Sequence, residues 1–307
     1  MPMRENPMPH DAVVIGGSYA GLSAALQLVR ARRRVLVIDD NRPRNRFAAR
    51  AHGVLSHDGR PGAEIAAAAR AQVAAYPTAA FRMAEAVDIS RIDGGFSVAF
   101  ADGTNTTGRR LILAHGVEDV LPDIPGVKER WGRTALHCPW CHGYEIGGGP
   151  IGVLGRGDHA VAYATIVAEW GQVVLFMDPA GLSQDDARLL ARRGVTVEPT
   201  PIERLEGEAP TLTGARLTDG RFIPLKAIFV GASVRQANGF AERLGCDMTD
   251  SPMGRIVKVD AQQQTSQPGV FAAGDLARPA GNITLATTDG MLAAHGAFRS
   301  LIEEETA

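Results

Sequence analysis

Along the chain, short uninterrupted apolar runs alternate with stretches in which apolar residues recur every three or four positions. DAVVIG, Asp11 to Gly16, has the composition of a strand buried on both faces of a parallel sheet. In the following GGSYAGLSAALQLVRARR, Leu22, Ala25, Leu26 and Val29 fall at helical spacing. VLVIDD then supplies a second buried strand, Val35 to Asp39, so residues 11–40 predict one βαβ unit. An Ala-rich helix is expected from about Gly62 to Ala75. A small antiparallel meander is expected around FSVAFADGT, turning at Asp102-Gly103, and then a strand from Arg110 to Gly116.

The pattern restarts at Ile151. IGVLG reads as a strand, GRGDHAVAYATIVAEW as a glycine-rich turn plus helix, and QVVLFMD as the next strand. SQDDARLLARRG predicts a helix with Ser183 as N-cap and Gly194 as its stop. A second meander turns at Asp219-Gly220, and KAIFVGA is again a buried strand. VFAAGD, Val270 to Asp275, is a further one, followed by a last helix from about Asp289 to Glu304. The chain thus holds two similar units, and in each an acidic residue, Asp39 or Asp178, lies 23 positions after the first glycine, Gly16 or Gly155. The predicted class is α/β, with two Rossmann-like three-layer dinucleotide-binding domains. Periodicity alone does not assign the C-terminal piece to either.

Composition narrows the functions. At about 150 residues per domain, 307 residues allow about two domains. A net charge of −2 offers no field for nucleic acid or an anionic membrane, so neither partner is expected. The opening MPMRENPMPH has no apolar core of a signal peptide, and no run nears the roughly 18 apolar residues of a membrane span. A cytoplasmic, reducing setting is the expectation, and there a CxxC is more often catalytic than structural.

Three places carry candidate chemistry. Gly16-Gly17-Ser18-Tyr19-Ala20-Gly21 approximates G-x-G-x-x-G, a loop whose backbone N–H groups can hold a pyrophosphate at a helix start. Ser18 replaces the middle glycine, and Asp39 could accept from a ribose hydroxyl. A tight turn without ligand is the competing reading. Gly155-Arg156-Gly157-Asp158-His159-Ala160 fits G-x-G-x-x-A, and Asp178 would repel a 2′-phosphate, favouring NADH over NADPH if a dinucleotide binds. A fold kept after its nucleotide site decayed is the alternative there. His137-Cys138-Pro139-Trp140-Cys141-His142 places two cysteines where they can close a disulfide, with imidazoles alongside to move protons. A zinc knuckle would need four ligands, and buried structural thiols are the other alternative. No metal is expected, and the lone Cys246 reads as a small core residue.

Two dinucleotide folds, a CxxC before the second and a late Gly-Asp after a strand together resemble the low-molecular-weight thioredoxin reductases over nearly the whole chain. The resemblance implies a discontinuous FAD domain, residues 1–117 and 248–307, around an NAD(P)-binding-like domain, 118–247, that carries the CxxC. It implies FAD held by Gly16, Ser18, Gly21, Asp39, Asn45, Gly274 and Asp275. Cys141 would face the flavin C4a, and Cys138 would exchange with substrate. Three positions depart: His142 stands where those reductases have Asp, FMDPAGL replaces their basic NADPH cluster, and His115 in AHG stands where Thr is usual. CPWCHGYE (Cys138 to Glu145), HGVLSHDG (His52 to Gly59) and PRN (Pro43 to Asn45) look instead like the thioredoxin-reductase-like dithiol oxidases, which close the disulfides of gliotoxin and holomycin and pass electrons from FAD to oxygen. The expected function is therefore oxidation of a small-molecule dithiol by FAD and a Cys138–Cys141 pair, with His142 moving the proton and hydrogen peroxide as co-product. The alternative is an NAD(P)H-dependent reductase of a small disulfide or a thioredoxin-like protein, with Gly155, Gly157 and Asp178 as its nucleotide contacts. Reduced ferredoxin as donor and a non-enzymatic flavin-holding redox sensor are the remaining rivals. By analogy with relatives, a homodimer is expected.

Overall fold

The apolar run before the first glycine loop forms β1 (His10–Ile15), with Ala12, Val13 and Val14 wholly buried. The chain turns at Gly16, enters α1 (Tyr19–Arg30) and returns as β2 (Val35–Asp39), parallel to β1 with Val14 opposite Val37. A strand apolar on both faces needs cover on both. Ala12 and Val14 join a cluster with Leu22, Ala25 and Val29 of α1, while Val13 and Ile15 face Phe96, Val98 and Phe240.

Next come α2 (Gly62–Ala74), β3 (Ala79–Met83), β4 (Ala86–Ile92), β5 (Gly95–Phe100) and β6 (Asn105–Leu113). The sheet order is β3-β2-β1-β6-β5-β4. Gly103 takes φ +80° at the expected turn, where Asp102 accepts from the Thr104 N–H at 3.0 Å. The strand expected to begin at Arg110 does not start there. β6 runs unbroken from Asn105, antiparallel to β5 over residues 105–108 and parallel to β1 from Gly108 onward. The boundary visible in the residue pattern is a change of neighbouring strand, not an interruption of the chain.

β7 (Val117–Val120) leads to β8 (Ala135–Leu136), α3 (Pro139–Ile146), β9 (Pro150–Leu154), α4 (Ala160–Val167), β10 (Gln172–Phe176), α5 (Gln184–Arg192) and β11 (Thr196–Glu198). The antiparallel β12 (Ile202–Glu206), β13 (Gly214–Leu217) and β14 (Phe222–Pro224) precede β15 (Ala227–Val230). The parallel sheet is ordered β11-β10-β9-β15-β8. Ser183 caps α5 by accepting from the Asp186 N–H at 3.0 Å, a bond worth roughly 0.5–2 kcal/mol. Gly194 ends that helix region at φ +66°.

The chain then forms β16 (Ser233–Gln236), α6 (Phe240–Arg243), β17 (Met248–Ser251), β18 (Gly254–Val257), β19 (Val270–Ala272) and α7 (Ile283–Thr306). β19 lies parallel to β6, Phe271 opposite Ile112, which places the C-terminal segment with the first sheet. α7 begins six residues before the expected Asp289, at Ile283, capped by Asn282, whose Oδ1 accepts from the Leu285 N–H at 2.8 Å. Its first turns carry Thr284, Thr287 and Thr288, weak helix formers that hid the start. Packing against α1 overrides them: Gly290 lies so near that helix that a Cβ would come 2.0 Å from the Ala20 carbonyl oxygen.

The computed structural model describes residues 9–155 and 159–307. They divide into two compact units. One comprises the chain through Arg44, Ala63–Glu118 and Val234–Ala307, and the other Asn45–Gly62 and Asp119–Ser233. The first unit is discontinuous in sequence, and both are α/β with parallel sheets.

Candidate functional site: a helix-start disulfide and a dinucleotide cradle

In the second unit, β8 delivers His137 and Cys138 to the start of α3. Cys138 is the N-cap residue in extended conformation, Pro139 follows at the first helical position, and Cys141 sits within the first turn. This turn brings the two Cα atoms to 5.3 Å and the sulfurs into a disulfide. Once reduced, a thiolate at Cys141 would lie near the free N–H groups of a helix start, which favour negative charge. Gly143 is required by packing, since a Cβ would come 2.6 Å from the Trp170 ring. Cys246, in the first unit, is buried, and burial pushes its thiol upward. It is a core residue, as expected.

His142 follows Cys141 directly, and burial holds its imidazole below the ordinary 6.5 despite the opposing charge of Glu145; the nearby His52 lowers it further. His52 comes from the distant segment 45–62, and its Nδ1 lies 3.3 Å from Glu145 Oε1 and 3.6 Å from Asp58 Oδ1. The His52 loop is itself closed: Ala51 N–H donates to the Arg60 carbonyl at 2.8 Å, and Gly53 N–H to Asp58 Oδ1 at 2.8 Å. His142, His52 and Glu145 line one cavity of about 550 Å³. Residue-by-residue reading singled out neither His52 nor Glu145, because the contact joins remote segments. Their presence in the signature runs HGVLSHDG and CPWCHGYE was the available signal.

In the first unit, Gly16 has φ +105°, and a Cβ there would strike the Ala114 carbonyl oxygen at 2.3 Å. A Cβ on Gly21 would lie 1.8 Å from the Gly16 carbonyl oxygen, so both glycines serve the close strand–helix turn. Ser18 is the N-cap of α1, and its hydroxyl makes no capping bond. Asp39 sits against Gly17 and accepts from Arg70 at 2.5 Å and from the Asn41 N–H at 3.2 Å. Gly274 takes φ +74° beside Ala20 in the first turn of α1, and Asp275 accepts from Arg44 at 2.8 Å. The structure therefore gathers Gly16, Ser18, Gly21, Asp39, Gly274 and Asp275 around the carboxyl ends of β1 and β6, the side on which such sheets bind ligands. Asn45 lies in the short turn Arg44–Phe47.

His115 extends this cradle. It follows β6, and its Cα lies 3.0 Å from where a Cβ on Gly16 would stand. Both ring nitrogens are buried without a hydrogen-bond partner among the described residues, and the ring meets Phe240 edge-on at 5.7 Å. Burial lowers its pKa to about 3. The unfolded chain therefore binds a proton at His115 near pH 6.5 that the folded chain refuses until about pH 3. This group costs stability progressively as pH falls through that window and nothing above it. Between pH 7 and 5 the loss from His115 is about 2 kcal/mol. In urea melts, His115→Phe is expected to show a pH dependence shallower by that amount; parallel curves for the two proteins would refute it.

The second glycine loop reads differently. A Cβ on Gly155 would lie 2.2 Å from Ala160 Cβ, so helix packing accounts for that glycine. Gly157 lies outside the described residues. Asp178 is exposed and caps the turn Pro179–Gly181, accepting from the Ala180 N–H at 2.9 Å. Arg188, the first basic residue after Asp178, lies 3.4 Å from Asp185. Among the described residues, no helix is long and apolar enough to cross a membrane.

A pair of dinucleotide-type folds with a helix-start disulfide defines a disulfide-bearing oxidoreductase. The chain belongs to the pyridine nucleotide-disulphide oxidoreductase family, whose model matches residues 10–299. It is 32% identical to "thioredoxin reductase tcpT" of Claviceps purpurea over 96% of this chain and 95% of that protein. It is 29% identical to "thioredoxin reductase sirT" of Leptosphaeria maculans over 94% of each. Among solved structures, an oxidoreductase from Agrobacterium tumefaciens matches with TM-score 0.91 and 43% identity, covering 96% of this chain and 99% of that one. The structure of HlmI matches with TM-score 0.90 and 37% identity, covering 99% and 95%. The protein is thus an enzyme acting on sulfur groups, similar to thioredoxin reductases throughout its length. The family binds FAD, and this chain fits that cofactor: the glycine turn, the carboxylates beside it and the orphaned His115 nitrogens form a cradle in the first unit.

Proposed function

We propose that this enzyme oxidises a small-molecule dithiol to its disulfide, with molecular oxygen as final acceptor and hydrogen peroxide as product. The observation that carries the reading is the Cys138–Cys141 disulfide followed directly in the chain by His142, which shares a cavity wall with His52 and Glu145. A substrate thiolate attacks Cys138 Sγ, the Cys138–Cys141 bond breaks, and Cys141 leaves as thiolate. His142, kept neutral by burial, takes the proton of the second substrate thiol. That thiolate attacks the substrate sulfur bonded to Cys138 and releases Cys138. The substrate has then lost two electrons and two protons, and the cysteine pair has gained the electrons. FAD, which Gly16, Ser18, Gly21, Asp39, Gly274 and Asp275 would hold, would supply the two-electron acceptor for the reduced cysteine pair, with oxygen as the final acceptor. On this reading the parts 1–117 and 248–307 serve FAD, apart from the segment 45–62 that brings His52 to the cavity, and 118–247 serve the thiol chemistry.

The G-x-G-x-x-A spacing from Gly155 to Ala160 supports a second reading, an NAD(P)H-dependent disulfide reductase. The acidic, cap-forming Asp178 and the absence of a basic cluster in FMDPAGL weigh against its NADPH form. Anaerobic titration of the flavin separates the two. Bleaching of the visible flavin band by a dithiol but not by NADH or NADPH is expected. Stoichiometric bleaching by either nicotinamide, with none by dithiols, would overturn the oxidase reading.

A further inference from the structure

The cavity beside His142 has an unbalanced charge. Its wall includes Arg50, Arg133 and Lys226 together with His52, His142 and Glu145. Glu145, the one acidic residue of the wall among the described residues, is engaged by His52 at 3.3 Å. Arg50 donates to the Gly59 carbonyl oxygen at 2.6 Å, which leaves its charge uncompensated. Among the described residues no carboxylate pairs with Arg50, Arg133 or Lys226. Three unpaired cations around one cavity contrast with the chain's overall −2. Elsewhere on this protein arginines are commonly paired, as Arg216 is with Glu206 and Arg221 with Glu198.

The cavity also has a fixed relation to the disulfide. Gly132, Arg133 and Thr134 immediately precede β8, the strand that leads into His137 and Cys138. His142 and Glu145 lie on α3, just after Cys141. The wall therefore brackets the redox pair on both sides in the chain, although the sulfurs themselves are not part of it. About 550 Å³ suits the body of a small ligand, not a protein surface.

Resting on the dithiol reading above, we infer that the substrate is a small dithiol whose tail carries a negative charge. The tail sits in the cavity against Arg50, Arg133 and Lys226 while the two thiols reach Cys138. Guanidinium groups bind a carboxylate in paired, directional hydrogen bonds, and an otherwise unpaired cation cluster steers an anion toward the site. A neutral dithiol of the same shape gains neither.

Dihydrolipoate and dihydrolipoamide test this, because they share the dithiol and the tail and differ only in carboxylate against amide. The expected kcat/KM is at least about tenfold higher for the acid, equivalent to 1.4 kcal/mol. That ratio should shrink as salt is raised, because the wall is open to solvent and screened. In the double variant Arg133→Ala/Lys226→Ala it should fall toward one, and in Lys226→Arg it should persist. Equal rates for acid and amide, or a preference that survives the double variant, would overturn the inference. Calorimetric binding of lipoate against lipoamide gives a reading independent of turnover. If neither dithiol is oxidised but lipoate binds at least tenfold tighter, the dithiol-oxidase reading fails and the anion pocket stands; equal or absent binding of both removes the pocket.

Discussion

Cys138→Ser is expected to stop dithiol oxidation completely while leaving a yellow, folded protein. The serine hydroxyl cannot form the mixed disulfide, so the electron pair has no route from substrate to the cysteine pair. The fold should tolerate the change. Losing a disulfide that closes so short a loop costs about 2 kcal/mol by the chain-entropy estimate. Cys138 is also the N-cap of α3, where its side chain makes no capping bond. Serine is a favoured residue there, and a new cap returns roughly 0.5–2 kcal/mol. Stopped-flow mixing with excess dithiol under anaerobic conditions should show no flavin bleaching, against an unchanged absorption spectrum before mixing. Wild-type-like bleaching in this variant would end the disulfide mechanism.

His142→Ala is expected to slow the same half-reaction by about 10²–10⁴-fold, the usual contribution of a positioned general base. The pH profile separates a chemical role from a packing role. Burial lowers the His142 pKa from 6.5, so the basic form persists through neutral pH and is lost only as pH falls below that value. The acid limb of the wild-type rate therefore lies below pH 6.5. In the variant that limb disappears, and the rate climbs with pH toward the substrate thiol's own pKa of about 8.5. Added imidazole should restore part of the rate. A uniform decrease with an unchanged profile would assign His142 to packing alone.

Much of the fold was legible because its signals are local. A strand buried on both faces has to be apolar throughout, and VLVIDD became β2 over Val35–Asp39 as read. The DG turns at 102–103 and 219–220 and the Ser183 cap follow from residue chemistry within a few positions. The misplaced start of α7 has the opposite origin. Thr284, Thr287 and Thr288 lower helix propensity, and only the close approach to α1 pays for their order. The merged strand β6 was missed for a related reason: which neighbour a strand bonds changes along its length without any mark in its residues.

The candidate site divides the same way. Amino-acid order by itself determined the two glycine turns, the CxxC at a helix start and the acidic residues that end β2 and follow β10, because each depends on neighbours close in sequence. Tertiary structure alone decided that His52 meets Glu145 beside His142, that Asp39 holds Arg70 and Asp275 holds Arg44, and that both His115 ring nitrogens are buried without a hydrogen-bond partner among the described residues. Charge pairing and burial depend on distance in space, and for these residues the chain must fold before distance has a value.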